Sequence, residues 1–329
     1  MQKWNVVIVV CLAVLLGSLG MGSDLRAETI ELRYGLWAKE GEAQHLGALK
    51  FKEVLEAESD GKFSVTVYPG NQLGTPREML AQLALGTTQI CASGDPGIKE
   101  IEYLALPYLM KGIGNYTAVI NSEIGEEWNK ILVDKRKVRL LGFLPRSPRQ
   151  ISANTVINTM ADLEGLKLRA PERDYYVKSI AALGAKPTPM AFKEVYTALQ
   201  TGIVDGQENP IETIYAQKFY EVQDCVAMVD YIDKPAYVMI GESFWQERTP
   251  EERELIKKAQ AASRTMVEEI LPEQQEEFMQ KMEEAGIVFT YPDKAEFIEA
   301  TQPVRDELGT EVWGEETYKK IVEIGQQDL

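Results

Sequence analysis

Residues 201–210 read TGIVDGQENP and follow directly on the helical-looking stretch FKEVYTALQ (192–200). Two apolar residues, Ile203 and Val204, lead into Asp205, Gly206, Gln207, Glu208 and Asn209, and Pro210 stops the run. A polar cluster with Gly and Pro is usually a solvated turn. The other reading is a ligand-binding edge at the tip of a short strand. Which of the two holds depends on what surrounds it.

Upstream, the chain alternates strand and helix. TIELRYGLW (29–37) alternates like a strand, EAQHLGALKFKEVLEAESDG (42–61) has helical periodicity, and KFSVTVYPG (62–70) is a strand closed by Pro-Gly. TPREMLAQLALG (75–86) is a helix with Thr75 as N-cap, Pro76 in its first turn and Gly86 as stop, and TTQICAS (87–93) is a strand. That βαβαβ series implies parallel strands with helices on both faces.

A second series begins near residue 150. It comprises a strand at 149–156, a helical turn at 159–165, a strand at 165–171, a helix at 175–185, KPTPMAF as a loop, a helix at 193–202 and a strand at IVDGQEN. NPIETIYAQKFYEV (209–222) reads as a helix with Pro210 at its first position, and residues 225–246 as a strand pair. A long helical pattern over 249–286 contains Pro272, which predicts one helix bent near Leu271-Pro272 or two helices meeting there. No flexible linker separates the two series, so they are packed lobes.

Composition narrows the function. At 329 residues with 45% hydrophobic and 26% charged residues, the chain has material for about two globular domains. The N-terminal MQKWNVVIVVCLAVLL is too short to span a membrane and fits a secretory signal, with Ala27 or Gly22 as the last residue removed. Val10 before Cys11 argues against a lipoprotein. Loss of residues 1–27 moves the net charge from −16 to −17, a surface unsuited to nucleic acid. Cys91 and Cys225 then remain, both in apolar strand-like stretches that favour buried free thiols over a disulfide.

Chemistry-bearing motifs are sparse. His45, the single histidine, sits on a helix with Leu46 and Ala48 and suits packing or capping. No G-x-S-x-G, H-E-x-x-H, G-x-G-x-x-G or P-loop occurs, and DGQEN lacks the spacing of a calcium loop, so neither a metal nor a cofactor is expected. Polar groups instead collect at strand ends followed by proline: Arg169 before Pro171, Gln207-Glu208-Asn209 before Pro210, and Ser93-Gly94-Asp95 before Pro96. In open α/β sheets ligands sit at such ends. Arg169 can grip a carboxylate through two parallel hydrogen bonds, although an arbitrary arginine more often pairs with a structural acid. Arg149 and Arg77 carry the same two readings.

The runs GLKLRAP (165–171), ALGAKPTPMAFKEVYTALQTGIVDGQENP (182–210) and AQKFYEV (216–222), supported by YPGNQLGTPREML (68–80) and LALPYLM (104–110), closely resemble the solute-binding proteins of TRAP transporters, the DctP type. The resemblance covers essentially the whole mature chain. It implies a two-lobed α/β fold of the periplasmic-binding-protein kind (type II-like), with discontinuous lobes and a long kinked helix spanning both. Lobe I would comprise residues 28–146 and 235–274, and lobe II residues 147–234 and 275–329. The implied ligand is a small organic acid, such as a C4-dicarboxylate, a sugar acid or a sialic acid, held between the lobes of a periplasmic monomer and passed to TRAP permease subunits.

Residue by residue, Arg169 resembles the family's carboxylate clamp and Asn209 its hydrogen-bonding companion. Arg149 resembles a second basic contact, Phe192 an aromatic wall, and Arg77 a polar contact from the first lobe. Trp37, Glu172 and Tyr237 are further candidates for lining the cleft. Trp37 and the Tyr175-Tyr176 pair could narrow it or simply pack, while Glu172 could accept from ligand hydroxyls or favour the following helix N-terminus. These features lean towards a hydroxylated acid. A ligand-sensing subunit for a signalling receptor and an exported organic-acid enzyme are the alternative readings, the latter without any nucleophile–base arrangement to support it.

Overall fold

The computed structural model describes residues 29–329; the signal-peptide reading of residues 1–27 lies outside them. The strands are β1 (Ile30–Leu36), β2 (Phe63–Tyr68), β3 (Ile90–Ser93), β4 (Val138–Leu144), β5 (Arg149–Ala153), β6 (Lys167–Ala170), β7 (Lys186–Pro189), β8 (Gly206–Pro210), β9 (Cys225–Ile232), β10 (Ala236–Gly241) and β11 (Val288–Thr290). They form two sheets, ordered β2-β1-β3-β10-β4 and β11-β9-β5-β8-β6-β7.

The first series folds as expected. β1 pairs in parallel with both β2 and β3. The helix Pro76–Leu85 starts at a capping box in which Thr75 accepts from the Glu78 amide while the Glu78 carboxylate accepts from the Thr75 amide, and it ends at left-handed Gly86. Helices Ile113–Ile120 and Glu123–Arg136, with β4 after them, complete this part.

Four expectations in the second series need correction. Residues 225–246 do hold two strands, but β9 and β10 do not pair. β9 joins the second sheet beside β5 and β11, whereas β10 crosses to the first, antiparallel to β3 and β4. KPTP is not a loop: β7 pairs in parallel with β6 at the sheet edge, where proline's missing N–H faces away from the ladder. Ile203-Val204 form a turn, and the strand is the polar GQENP itself, buried at all five positions. Pro210 therefore closes a strand and caps the helix Ile211–Ala216. A left-handed Lys218 then ends the expected long helix early.

The helix Pro250–Glu284 runs unbroken through Pro272, so the two-helix alternative does not hold. Pro272 has no N–H for the Glu268 carbonyl. The N-terminal half of this helix packs on helix Ala43–Glu58 and β4, and its C-terminal half touches helix Ile211–Ala216 of the second series, where Phe278 stacks on Tyr215. Gly47 makes the first contact close, because a Cβ there would meet Val267 and Ser263. The C-terminal helix Glu315–Gly325 returns to the first series, where the Asn115 amide donates to the Ile324 and Gln327 carbonyls at 2.8 and 2.9 Å. One apolar cluster is continuous between the sheets through Tyr103, Tyr175, Tyr176, Tyr231 and Tyr237. Cys91 and Cys225 are free and buried.

Candidate ligand cleft

The site grows from the β5–β8 ribbon. In its antiparallel register Arg149 faces Pro210, Gln150 faces Asn209 and Ile151 faces Glu208. Side chains alternate along a strand, so Gln207 and Asn209 share one face of β8 and Glu208 takes the other. On the Glu208 face, Arg149 forms a two-point ion pair through Nε to Oε2 and through Nη2 to Oε1 at 2.7 Å. The same Nη2 also donates to the Glu208 carbonyl at 2.7 Å. The guanidinium lies over the Tyr176 ring, 5.1 Å from its centroid. Burial opposes the Arg149 charge, but the Glu208 carboxylate overrides it and holds the group well above its ordinary range. On the other face, Asn209 donates to Gln207 Oε1 at 2.5 Å, and Gln207 donates to Ser152 Oγ at 2.8 Å.

Arg169, near the end of β6, is in a different electrostatic state. It is 4% exposed. Its Nε and Nη2 donate only to the Met190 carbonyl, at 3.2 and 2.9 Å, and the cation sits 5.8 Å from the Phe192 ring centroid. Among the described residues no carboxylate lies within ion-pair distance of it. Burial lowers its pKa; Glu208 counteracts that shift and the Arg149 charge adds to it. Phe192 is 41% exposed and packs edge-on to Phe219, so its ring forms an open rim beside the guanidinium.

The remaining candidates scatter. Trp37 follows β1 and stacks under Arg146, 5.1 Å away. Arg77 and Glu172 are exposed and take part in no side-chain hydrogen bond or ion pair among the described residues. Tyr237 is fully enclosed, its hydroxyl donating to the Ile101 carbonyl at 3.4 Å and its ring edge on Phe143, so it lies within the apolar core. Tyr175 and Tyr176 are likewise buried and stack on each other at 4.2 Å.

Sequence reading missed a second polar group beyond the end of the ribbon. Arg146 donates to Thr213 Oγ1 at 2.9 Å and approaches Glu212 at 3.7 Å, while Glu212 accepts from the Ser147 amide at 3.3 Å. Gln44 donates to the Pro145 carbonyl at 2.8 Å. Burial pushes Glu212 up and Arg146 down, both towards neutrality, as a loose pair should. The only signal was position: Arg146 lies in the proline-bracketed PRSPR run and Glu212 just past QENP. Reading also missed the contacts that draw the two halves together. Arg173 bonds Asp95 at 2.7 Å and Glu102 at 3.1 Å, Lys39 donates to the Ala216 carbonyl at 2.6 Å, and Lys234 donates to the Tyr175 hydroxyl at 2.8 Å. His45 is a capping group that accepts from the Gly41 amide.

The family profile described as bacterial extracellular solute-binding protein, family 7 (DctP), matches residues 34–311. The chain belongs to this family. A solute-binding protein from Roseobacter denitrificans is 34% identical over 292 residues, with 88% of each chain covered. The solved structure of that Roseobacter denitrificans protein, a TRAP periplasmic solute-binding protein with bound L-galactonate, matches with a TM-score of 0.78 at 32% identity, covering 90% of this chain and 98% of that one. The sialic acid-binding periplasmic protein SiaP of Vibrio cholerae is 34% identical over 299 residues, covering 90% of this chain and 93% of that one. The C4-dicarboxylate-binding periplasmic protein DctP of Rhodobacter capsulatus is 32% identical over 315 residues, covering 92% and 93%. The two-lobed α/β architecture is thus that of the family. No helix among the described residues is long and apolar enough to cross a membrane.

Proposed function

We propose that the protein is a periplasmic receptor that holds a small organic acid by its carboxylate on Arg169 and delivers it to a TRAP-type permease. One observation carries the reading: among the described residues Arg169 is a buried guanidinium without a carboxylate partner, next to an arginine that has one. A buried cation left without a counter-ion is costly, and an incoming carboxylate removes that cost while gaining a planar two-point grip. Asn209 orients the acid, Phe192 covers its apolar edge, and Trp37 faces it from the first lobe. Arg149 acts mainly by bracing Glu208 and Tyr176, with Arg77 and Glu172 as outer contacts at the mouth.

Each charge-assisted hydrogen bond contributes about 1.5–3 kcal/mol net. Three of them with aromatic cover reach about −8 kcal/mol, a micromolar affinity. The lobes divide at the 144–149 and 232–236 crossings and turn on the long helix. Closure fastens Arg173 to Asp95 and Glu102, and the closed surface is what the permease recognises. The relatives' ligands, which include sialic acid, a C4-dicarboxylate and L-galactonate, all carry a carboxylate and support the same clamp. The cycle is binding and release without turnover. A thermal-shift screen of dicarboxylates, aldonates, uronates and sialate tests it, since a ligand of the native state raises the melting temperature. Recovery of a bound acid unchanged after prolonged incubation tests the absence of turnover.

A further inference from the structure

The group beyond the β5–β8 ribbon remains unexplained by a single carboxylate clamp. Arg149 faces Pro210 at the last register position, so Arg146, just before β5, and Glu212, in the first turn of the helix after β8, both emerge just past the ribbon's end. There they meet Trp37, Glu42 and Gln44 from the first lobe. Gln44 is fully buried, Glu212 is 2% exposed and the Arg146 side chain 9%. Among the described residues, three of their polar atoms have no hydrogen-bond partner: Gln44 Oε1, Arg146 Nε and Glu212 Oε2. Buried polar atoms are almost always paired, so three orphans in one neighbourhood point to a missing partner.

The donor set says what that partner is. It offers one N–H and two acceptor oxygens. A carboxylate accepts only; it could satisfy Arg146 Nε but would leave its charge facing Glu212 Oε2 and Gln44 Oε1. A hydroxyl both donates and accepts, and two vicinal hydroxyls satisfy all three atoms. Glu42 beside them brings none of the cationic charge that another carboxylate would need. We propose that Gln44, Arg146 and Glu212 form a hydroxyl-binding subsite, so that the solute is a polyhydroxylated monocarboxylic acid, a sugar acid, and not a bare dicarboxylate. This rests on the Arg169 clamp, which takes the carboxylate while the subsite takes the far end. Because Gln44 comes from one lobe and Glu212 from the other, the hydroxyls also bridge the cleft as it closes.

The test is titration calorimetry of the mature chain with five- and six-carbon aldonates and hexuronates against succinate and glutarate. At least one sugar acid is expected to bind about 100-fold more tightly than succinate, because a site built for hydroxyls rejects ligands that lack them. Glu212→Gln is expected to weaken that sugar acid by about tenfold and succinate by less than about threefold. Gln44→Met, which removes the other orphan acceptor, should show the same split and serves if Glu212→Gln does not fold. Succinate as the tightest ligand, equal losses for both acids, or an unchanged sugar-acid affinity in both variants (water filling the subsite) overturns the proposal. Arg169→Gln separates the two readings: if it abolishes binding of every acid while Glu212→Gln has no selective effect, the clamp stands and the hydroxyl subsite falls. Undiminished binding in Arg169→Gln sinks the clamp itself.

Discussion

The Arg169 guanidinium donates twice to the Met190 carbonyl oxygen, at 3.2 and 2.9 Å, and this backbone contact fixes the plane of the cation without neutralising it. Met190 lies just past β7, so the edge strand KPTP has a purpose in the site: it carries the carbonyl that aims the arginine. One strand further into the sheet, Glu208 neutralises Arg149 completely. Of these two buried arginines, Arg149 is paired with a carboxylate and Arg169, among the described residues, is not.

Removing one member of the Arg149–Glu208 pair should be severe. Arg149→Met strands a buried carboxylate and is expected to destabilise the fold by about 3–5 kcal/mol. The double change Arg149→Met with Glu208→Leu should recover much of that loss. Chemical denaturation of the three proteins checks the order.

Gly206 opens β8 where no side chain fits. A Cβ would press into the Ser152 carbonyl oxygen and lie 2.8 Å from Leu168 Cδ2. Gly206→Ala should destabilise by about 1–3 kcal/mol through overpacking, and should displace Asn209 enough to weaken acid binding as well. Thermal unfolding and calorimetry on the same variant test both effects.

Stability should fall as pH rises from about 4 to about 7. Burial raises Glu42 to about 7, with Glu212 adding to the shift and the Lys39 amide, Arg146 and Lys39 opposing it. Burial also raises Asp233 to about 7, helped by Asp230. Each group holds its proton in the folded state over a range where the unfolded chain, near 4.5 and 3.8, has released it. The contribution is therefore complete below the unfolded values and is lost as pH passes through the folded ones. Melting temperature should be higher near pH 5 than at pH 8, and Asp233→Asn should flatten that slope.

Local signals carried most of the architecture. The Thr75-Pro76 start and Gly86 stop were legible because capping is a property of a few adjacent residues. The separation of β9 from β10 was not, since consecutive apolar strands resemble a hairpin until the partners β3 and β5 are known. The strand in IVDGQEN was legible but not its position: polar residues, Gly and Pro are depleted in strands, and the Gln207–Ser152, Asn209–Gln207 and Arg149–Glu208 bonds make the burial of GQENP tolerable. Arg169 and Asn209 stood out through neighbouring prolines. Arg146 and Glu212 have meaning only in three dimensions, because they meet each other and Gln44, from far earlier in the chain, only in the folded protein.

The most direct test of the clamp is calorimetry with Arg169→Lys, using whichever acid the thermal-shift screen finds. Lysine keeps the charge but loses the planar two-point grip, so affinity should fall by at least about tenfold while the melting temperature of the free protein stays close to that of the parent. Undiminished affinity in a folded Arg169→Lys protein would contradict the account.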